Sequence, residues 1–494
     1  MSLPTELAHR VQAQLDPDPS RVIARLFLPG EELPNGRSRA GAVVDRVLAL
    51  PEAEVEIEMA RLVAEFGPRH REYPAILAQH ASMVKSHTRL APPMSPARTL
   101  LMGASFTAEY AVEGAALCNP SAVLHPDQSG LGAGQARVAI SLRAIGEGHL
   151  SSIGFATAVI GPDAAWSFDE RTLPATVGRC ALAHWDREHL RAVLADHGPV
   201  DELAHSLLAT LPESFDAAEL QRAITSIHSS RQYQFGTTET IALLRKLVAS
   251  AYVVTFGQDV ALSEQVLMPA AAEESNGMED ARFTRFVDEN GAVQYRATYT
   301  AYDGRHIEPR LLTSPDLNTF QAHRLAGPAA QNKGMALFPR KVDGRFLALC
   351  RSDGENTSMA VSTDGFIWGE PLPVQGPTAS WEVLQVGNCG PPIETERGWL
   401  VLTHGVGPMR SYAIGAILLD LQDPTRVLGR LPQPLLQTLP EERDGYVPNV
   451  VYSCGGVLHE GRLWLPYGIG DARIGVMWAD VDELLGAMIA GQSA

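Results

Sequence analysis

One pattern of residues recurs through the second half of the chain, and this pattern limits which folds the chain can adopt. From residue 277 onward, a strand-like run, a glycine turn, a second run and a third run ending in aspartate recur roughly 50 residues apart. The clearest copy is PRKVDGRFLALCRSDGENTSMAVSTDGFIW (339–368), and an earlier copy is ARVAISLRAIGEGHLSSIGFATAVI (136–160). Small sheets of this kind bury their faces only against neighbouring copies. Five copies therefore predict an all-β, five-bladed β-propeller, with a β-sandwich or a two-domain all-β protein as the alternative.

Two stretches depart from the β pattern and predict helices. PEAEVEIEMARLVAEF (51–66) and YPAILAQHASMVKSH (73–87) space apolar residues three and four apart, and the proline-rich LAPPMSPAR ends this part near residue 98. Four similar segments lie between Cys180 and Leu262, with strand-like sequence on both sides. We therefore expect a helical extension over residues 1–98 and a propeller over residues 99–494 that carries a helical insertion at about 181–262.

Composition excludes several classes of partner. The formal net charge of −17 opposes binding to nucleic acid, and no basic stripe stands out against it. The five cysteines lie far apart without a Cys-x-x-Cys pair, and the histidines are dispersed, so we predict no disulfide framework and no metal site. The sequence shows neither a membrane-length apolar run nor a secretory pattern, so we expect a cytoplasmic protein without a membrane partner.

The short motif GMEDARF, residues 277–283, concentrates charge between a glycine and a phenylalanine. On a strand, Asp280 and Arg282 share one face and Glu279 projects to the other, so only one carboxylate is expected to enter a pocket. A pocket carboxyl of this kind can move a proton. The same spacing also fits an Asp and Arg ion pair that closes a turn.

Seven motifs in a fixed order carry a resemblance to a known family. They are GMEDARF, YTAYDG, NKGMALFPRKVDGRFLALCRSDG, CGPPIETERGWLVLTHGV, GAILLDLQDP, YVPNVVYSCG and YGIGDARIGVMWADVDELL. Together they resemble glycoside hydrolase family 130 from about Asn119 to the C-terminus, interrupted by the helical insertion. The resemblance implies a propeller with a central sugar pocket that cleaves β-mannosides with inversion, β-1,2-linked mannooligosaccharides above all. Some members use phosphate and release mannose 1-phosphate, and others use water.

The resemblance also implies roles for individual residues. Inverting cleavage needs an acid and a nucleophile on opposite faces of the sugar. Asp280 matches the family's acid, which is thought to deliver its proton through the 3-hydroxyl of the mannosyl unit. Phosphorylases of the family tend to carry an arginine and a lysine where this chain has Gln331 and Gln385. Because phosphate needs several cationic contacts, we predict that water attacks instead.

A hydrolase needs a carboxylate to hold that water. Glu382 is the first choice for the base, while Glu394, Glu355 and Asp444 are further candidates that a solvated surface or turn position explains better. Further motif positions are predicted to bind substrate, although turn chemistry is an alternative for the Asn and Asp residues among them: Asn119, Arg143, Arg282, Tyr302, Asn332, Lys333, Arg351, Asp353, Gln385, His404, Asn449 and Asp471. Trp381 and Tyr446 offer aromatic faces for stacking on sugar.

These observations predict an inverting β-mannoside hydrolase that needs no cofactor and no metal. One alternative is a β-mannoside phosphorylase, for which inorganic phosphate is a co-substrate. Another is a propeller that binds glycan without turnover. The expected partner is an oligosaccharide, and the helical parts are expected either to cap the pocket or to form the interface of a homo-oligomer.

Overall fold

The computed structural model describes residues 7–30, 38–88, 93–171, 174–230 and 237–490. The chain divides into two compact units, one of Met1–Pro17, Ala115–Arg171 and Gly178–Ala494, the other of Asp18–Gly114 and Thr172–Val177. Part of the proline-rich segment, residues 90–92, lies outside the described residues. Within the described ranges, no helix is long and apolar enough to cross a membrane.

The smaller unit is mostly helical. Strand β1 (His9–Leu15) precedes it and belongs to the larger unit. The elements of the smaller unit that follow are β2 (Val22–Leu26), α1 (Arg39–Ala49), α2 (Glu52–Phe66), α3 (Tyr73–Thr88), α4 (Pro96–Ala104) and β3 (Thr107–Ala111). Val55 of α2, Leu77 of α3 and Met102 of α4 are buried in one apolar cluster. Helices α2 and α3 thus cover the two segments whose apolar spacing predicts helices.

The larger unit begins its sheets with an antiparallel meander, meaning strands that pair in chain order. It consists of β4 (Ala116–Leu124), β5 (Ala136–Ile145), β6 (Ser151–Gly161) and β7 (Ala165–Phe168). Strand β4 is buried along almost its whole length, as expected of a strand covered on both faces.

Helices interrupt the meanders between residues 187 and 249. In chain order the elements are β8 (Thr176–Val177, in the smaller unit), β9 (Arg179–Leu182), β10 (Trp185–Asp186), α5 (Arg187–Asp196), α6 (Glu202–Thr210), β11 (Ser214–Phe215), α7 (Ala217–Ser230), α8 (Thr237–Ala249) and β12 (Tyr252–Thr255). Asp186 and Asp201 cap α5 and α6 by accepting backbone N–H groups. Trp185, Leu207 and Leu244 share one buried cluster. The four helices coincide with the four segments whose spacing predicts them.

The remaining strands form four further antiparallel groups. Apart from β13 (Gln265–Leu267), which pairs with β6 of the meander, they are in chain order β14 (Gly277–Val287), β15 (Val293–Tyr302), β16 (Ile307–Ser314), β17 (Thr319–Arg324); β18 (Ala336–Leu337), β19 (Phe346–Cys350), β20 (Thr357–Ser362), β21 (Leu372–Gln375); β22 (Gln385–Asn388), β23 (Ile393–Thr395), β24 (Gly398–Val406), β25 (Tyr412–Leu419), β26 (Val427–Arg430), β27 (Leu436–Gln437); and β28 (Val451–Tyr452), β29 (Val457–His459), β30 (Arg462–Ile469), β31 (Arg473–Asp480), before helix α9 (Val481–Ala490). Strands β14 to β17 and β18 to β21 pair in chain order. In the fourth group β22 and β23 both pair with β24, and in the last β28 and β29 both pair with β30.

Strand β1 pairs antiparallel with β31, so the start of the chain joins the last group of strands. The larger unit is built mostly of β-strands, as predicted. A five-bladed propeller stays a prediction, because none of the sheets formed by the described residues closes into a ring.

The aspartate that ends the third strand of the sequence repeat has a structural reason. After β16, Ser314 Oγ accepts the backbone N–H of Leu317, and after β20, Ser362 Oγ accepts that of Gly365. Asp364 Oδ1 accepts two further N–H groups beyond the turn, as the corresponding aspartate does after β16. The repeat in the sequence therefore records a repeated hydrogen-bonded turn.

A second recurring feature was missed by sequence analysis. Glu274, Glu382 and Glu442 are each buried, each accept backbone N–H groups of a 3₁₀ turn just ahead of β14, β22 and β28, and each pair with an arginine. Glu274 is the most enclosed: its partner Arg310 lies 2.6 Å away, and both side chains are 0% exposed. Each glutamate precedes an Asn or Asp by six or seven positions, a spacing that is visible in the sequence.

We predict that Glu274→Ala lowers the free energy of unfolding by about 3–5 kcal/mol, because it leaves the Arg310 guanidinium buried without its carboxylate. Urea unfolding measures the effect. The matched control is Glu394→Ala, which removes an ion pair with Arg340 whose side chains are 40% and 41% exposed. That change should cost no more than about 1 kcal/mol. Equal costs for the two variants would contradict the prediction.

Candidate functional site

Strand β14 carries a β-bulge within GMEDARF. The pairing with β15 shifts between Glu279 and Arg282, so Asp280 and Ala281 together face the single residue Tyr299. Asp280 adopts a left-handed backbone conformation with φ of 56°, which aspartate tolerates better than most residues. A bulge ends the strict alternation of side chains along a strand. The prediction that Glu279 points away from Asp280 is therefore wrong: both carboxylates approach the same arginine.

That arginine is Arg143 on β5. Its Nη2 lies 2.6 Å from Glu279 Oε1 and its Nη1 lies 3.6 Å from Asp280 Oδ1. Its Nε donates a hydrogen bond of 2.9 Å to Ser151 Oγ on β6, which fixes the plane of the guanidinium. Glu279 and Asp280 are both buried. One guanidinium thus compensates two buried carboxylates, an arrangement that a charge taken out of water requires.

Two further side chains hold Asp280. Asn119, itself in a bulge of β4, donates from Nδ2 to Asp280 Oδ1 at 2.5 Å. Arg282 donates from Nη1 to the Asp280 backbone oxygen at 2.8 Å, and its Nη2 lies 3.8 Å from Asp280 Oδ2. Arg282 Nη2 also donates to the Tyr452 hydroxyl at 2.9 Å. Asn119, Arg143 and Arg282, all predicted to bind substrate, therefore gather around Asp280.

A third cation reaches the same pair from the segment before β18. Lys333 Nζ lies 3.9 Å from Glu279 Oε2, and the Lys333 side chain is 39% exposed. The preceding Asn332 is in the left-handed region, and its side-chain oxygen accepts the Lys333 backbone N–H at 3.0 Å. The predicted residues Asn332 and Lys333 thus lie beside the cluster, with the ammonium group accessible to solvent.

The surrounding cations decide the charge of Asp280. Burial by itself raises the pKa of the Asp280 carboxyl. The charges of Arg143 and Arg282 lower this pKa, and Lys333 and the hydrogen bond from Asn119 add to their effect. The net result is a pKa below the ordinary value for aspartate, so the carboxyl is ionised at neutral pH.

The pKa values of two neighbouring carboxyl groups shift in the opposite direction, upward. Burial raises the pKa of Glu279, Arg143 opposes this, and the charge of Asp280 raises the pKa further. Burial also raises the pKa of Asp471, to about 6, with Arg143 opposing and Asp280 and Glu279 adding to the rise. Asp471 lies in the turn between β30 and β31. The cluster therefore holds carboxyl groups with different affinities for a proton, as acid and base chemistry requires.

A second group of side chains adjoins the first. Arg351 is buried, lies with Nη1 3.2 Å from His404 Nε2, and forms no ion pair with a carboxylate among the described residues. Since an arginine only donates, His404 Nε2 accepts, and Nδ1 donates to the Asn388 backbone oxygen at 3.3 Å. Burial and the charges of Arg351 and Arg282 hold the pKa of His404 well below its ordinary value. The Tyr452 ring packs edge-on to His404 and joins this group to Arg282.

Several buried polar atoms in these two groups have no hydrogen-bond partner within the described part of the chain. They are Asn119 Oδ1, Arg282 Nε, Arg351 Nε, Asp471 Oδ1 and both amide atoms of Asn388. Buried polar atoms are normally paired. The atoms of this kind that lie around Asp280 and Arg351 are placed where a polar ligand would complete their hydrogen bonds.

Asn388 was missed by sequence analysis, although a signal for it exists. An Asn or Asp with φ between 50° and 62° stands in or just before the first strand of four groups, at Asn119, Asp280, Asn332 and Asn449. Asn388, at the end of β22, is the counterpart in the remaining group. Aligning CNPS, EDAR, QNKG, GNCG and PNVV reveals this position in the sequence.

The two predicted base residues lie elsewhere. Glu382 Oε1 accepts the N–H groups of Thr378 and Ala379 at 2.7 and 3.0 Å, which is the capping role described above. Glu394 is exposed on β23 and pairs with Arg340 at 2.5 Å. Neither carboxylate joins the cluster around Asp280.

Of the other predicted residues, one lies beside the second group of side chains, and those named after it make local structural contacts. Gln385 lies on β22 two positions before Gly387, where an added Cβ would come within 2.6 Å of the His404 ring, so Gln385 shares the His404 side of the strand. Tyr302 donates to the backbone oxygen of Gly304, and Asp353 accepts two N–H groups of its own turn. Asn449 bonds through its backbone to Arg443 and Tyr412. The Trp381 ring packs on Gly405 and Gly415.

Comparison with known proteins gives this geometry a context. The model of glycoside hydrolase family 130, described as beta-1,4-mannooligosaccharide phosphorylase, matches residues 257–489. A 1,2-beta-oligomannan phosphorylase from Thermoanaerobacter sp. (strain X514) is 32% identical over 227 residues, which cover 45% of this chain and 75% of the relative. A beta-1,2-mannobiose phosphorylase from the same organism is 35% identical over 215 residues, which cover 43% of this chain and 69% of the relative.

A solved structure is also similar. The beta-1,2-mannobiose phosphorylase from Listeria innocua, in complex with beta-1,2-mannobiose, aligns with a TM-score of 0.47 and 20% sequence identity. The alignment covers 77% of this chain and 93% of that chain.

We predict that Arg143→Met destabilises the protein by an amount that grows as the pH rises from about 5 to 8. Without Arg143 the pKa of Glu279, already above its ordinary value, rises further, and Asp280 loses the largest charge that lowers its pKa. The folded state then holds protons that the unfolded state has released, and stability falls as pH rises. At neutral pH the cost should reach about 3–5 kcal/mol. Urea unfolding at several pH values measures it.

The matched control is Arg143→Lys, which keeps the positive charge and should show a smaller cost with a weaker pH dependence. A cost for Arg143→Met that is constant over this pH range would mean that Arg143 does not set the charge of the two carboxylates.

Proposed function

The chain belongs to glycoside hydrolase family 130 and is an enzyme that acts on glycosides, and from this premise we propose that it is an inverting β-mannoside phosphorylase. Its substrate is a β-mannooligosaccharide, with the β-1,2 linkage favoured by the names of the two Thermoanaerobacter relatives. Inorganic phosphate is the co-substrate. This reverses the preference for water drawn from the sequence.

The observation that carries the proposal is the state of Arg351. This guanidinium is buried, has an unpartnered Nε, and forms no ion pair with a carboxylate in the described part of the chain. A buried charge without a partner is costly. Asp353 interacts with Arg351 electrostatically but forms no ion pair with it. A phosphate anion would supply that ion pair, and the guanidinium geometry suits bidentate binding of its oxygens.

In the proposed reaction, the bond between the anomeric carbon and the glycosidic oxygen breaks while a phosphate oxygen bonds to that carbon from the opposite face. The proton of Asp280 reaches the leaving oxygen through the 3-hydroxyl of the mannosyl unit. The products are mannose 1-phosphate and a shortened saccharide. Inversion requires that acid and nucleophile act from opposite faces.

The charge of Asp280 fits this sequence of events. In the free protein its lowered pKa leaves the carboxyl ionised, which is the wrong state for an acid. Phosphate beside Arg351 would add negative charge close to the cluster and raise the pKa of Asp280. Binding of the co-substrate would therefore favour protonation of the acid.

Hydrolysis is the second candidate, and a specific observation favours it. Gln331 and Gln385 stand where the phosphorylase pattern carries cations, so fewer charges are available to phosphate. The roles of Glu382 and Glu394 described above leave Glu279 and Asp471 as the carboxylates near Asp280 that would serve as base.

The five-bladed propeller belongs to the same proposal. Five groups of antiparallel strands, each with an Asn or Asp at its first strand, support blades that direct these residues toward a common centre.

We predict that β-1,2-mannobiose is consumed only when phosphate is present, with mannose 1-phosphate and mannose formed in equal amounts. β-1,4-mannobiose, assayed in parallel, tests the linkage. Product analysis by chromatography with and without phosphate decides the nucleophile. Asp280→Asn should lower kcat by roughly 10²–10⁴-fold while the protein stays folded by circular dichroism. Release of mannose without phosphate would refute phosphorolysis and establish the hydrolase.

We also predict that Arg351→Met raises the KM for phosphate by about 10–100-fold, since one charge-assisted contact contributes about 1.5–3 kcal/mol. Initial rates against phosphate concentration measure it. Arg351→Lys should lie between the wild type and Arg351→Met, because it keeps the charge without the planar fork. Arg340→Met, at an exposed arginine, is the matched control and should leave the KM unchanged. An unchanged KM in Arg351→Met would remove the basis of the phosphate site.

A further inference from the structure

We propose that Tyr446 forms the wall of an outer sugar subsite, where its ring stacks on the saccharide unit that leaves when the bond is cleaved. This inference rests on the proposed function, because it names the residue that recognises the second sugar of the same substrate. We call the two groups of side chains around Asp280 and Arg351 the inner cluster. Tyr446 lies outside it, on the segment between β27 and β28.

Tyr446 is exposed but fixed in orientation. Of the Tyr446 residue, 41% is accessible to solvent. Its hydroxyl lies 2.6 Å from His149 Nδ1, and the two ring centroids are 5.8 Å apart at an angle of 44°. An aromatic ring that is already held in place loses little conformational entropy when a ligand stacks on it.

The segment that carries Tyr446 is anchored next to Asp471. Gly445 packs so closely on Gly470 that an added Cβ would lie 2.3 Å from the Gly470 oxygen. Val447 donates its backbone N–H to the same oxygen at 2.8 Å. Asp471 follows Gly470 directly, and its carboxyl interacts electrostatically with the carboxylates of the inner cluster. Tyr446 is therefore tied to the edge of the cluster by two contacts to one turn.

His149 approaches from the other side of the same edge. It lies in the turn between β5 and β6, two residues before Ser151, whose hydroxyl accepts the hydrogen bond from Arg143. The contact between Tyr446 and His149 thus joins the turn beside Arg143 to the turn beside Asp471. A saccharide whose first unit lies at Asp280 would leave the cluster past this pair of rings.

The chemistry of the position selects a sugar over an anion. A pyranose ring offers an apolar C–H face to an aromatic ring and hydroxyl groups to polar neighbours. Val447, next in the chain, is also exposed and extends the apolar surface. The cations that suit phosphate lie instead at Arg351, Arg143 and Arg282, in the inner cluster.

The test uses the full chain with Asp280→Asn, so that bound sugar is not consumed, and titrates mannose and β-1,2-mannobiose by calorimetry. Adding Tyr446→Ala should weaken mannobiose binding about 10-fold and leave mannose binding unchanged, as expected for one lost stacking contact. Tyr446→Phe keeps the ring and should retain most of the affinity. Met409→Ala, at a side chain 88% exposed on another turn, is the control and should change neither affinity.

The outcomes separate the two proposals. If the Asp280→Asn protein binds mannobiose and Tyr446→Ala binds it equally well, the outer subsite is refuted while the proposed function stands. An equal loss of mannose and mannobiose affinity in Tyr446→Ala would also refute the subsite, because it would indicate damage to the inner site. If the Asp280→Asn protein binds neither sugar, the proposed function fails and the subsite with it.

Discussion

Two buried carboxylates share one guanidinium, and the rest of the site is arranged around this contact. Arg143 compensates Glu279 and Asp280 together only because the bulge in β14 turns both side chains to the same side. Without the bulge, one carboxylate would face Arg143 and the other would be buried elsewhere without its partner. The left-handed backbone at Asp280 is thus coupled to the electrostatics of the site, since the conformation is retained only where surrounding contacts fix it.

Two positions recur in the strand groups, and the side chains at these two positions have different roles. At the glutamate position, Glu274, Glu382 and Glu442 each cap a short turn and pair with an arginine. The Asn or Asp position follows these glutamates by six or seven residues, and there Asp280 accepts a hydrogen bond from Asn119, which holds the same position in the first group of strands. The glutamate position stabilises the fold in three groups, and the Asn or Asp position brings polar side chains of different groups within hydrogen-bond distance. A scaffold of repeated turns therefore separates residues that hold the fold from residues that form the site.

Sequence analysis predicted the elements far better than the details of the site. The helical segments and the glycine turns follow from periodicity and local turn chemistry, which depend on neighbours in sequence. Asp280, Arg143, Arg282 and Asn119 were identified through the family motifs, and the structure brings them together. The orientation of Glu279 was wrong, because a bulge depends on pairing with β15 and cannot be read from alternation alone.

Glu382 shows a second limit of the same kind. Its position three residues before Gln385 suggested a base facing the sugar, yet its carboxylate accepts the N–H groups of a turn. A glutamate that caps a turn and a glutamate that lies in a pocket look the same in the sequence, because both are buried and lie on similar stretches of chain. The comparison that distinguishes them is internal, with Glu274 and Glu442 at matching positions of other strand groups.

The choice between phosphate and water depends on how charge is counted. Gln331 and Gln385 remove cations from the sequence pattern, whereas Arg351 is a buried cation without a carboxylate partner among the described residues. His404 is neutral in the free protein, because burial and then the charge of Arg351 lower its pKa. An anion that binds Arg351 would offset that charge, while His404 Nε2 accepts the hydrogen bond from Arg351 and therefore stays without a proton. Counting cations in the sequence therefore understates the affinity of the site for an anion, because the count does not show that Arg351 is buried without an ion pair to a carboxylate among the described residues.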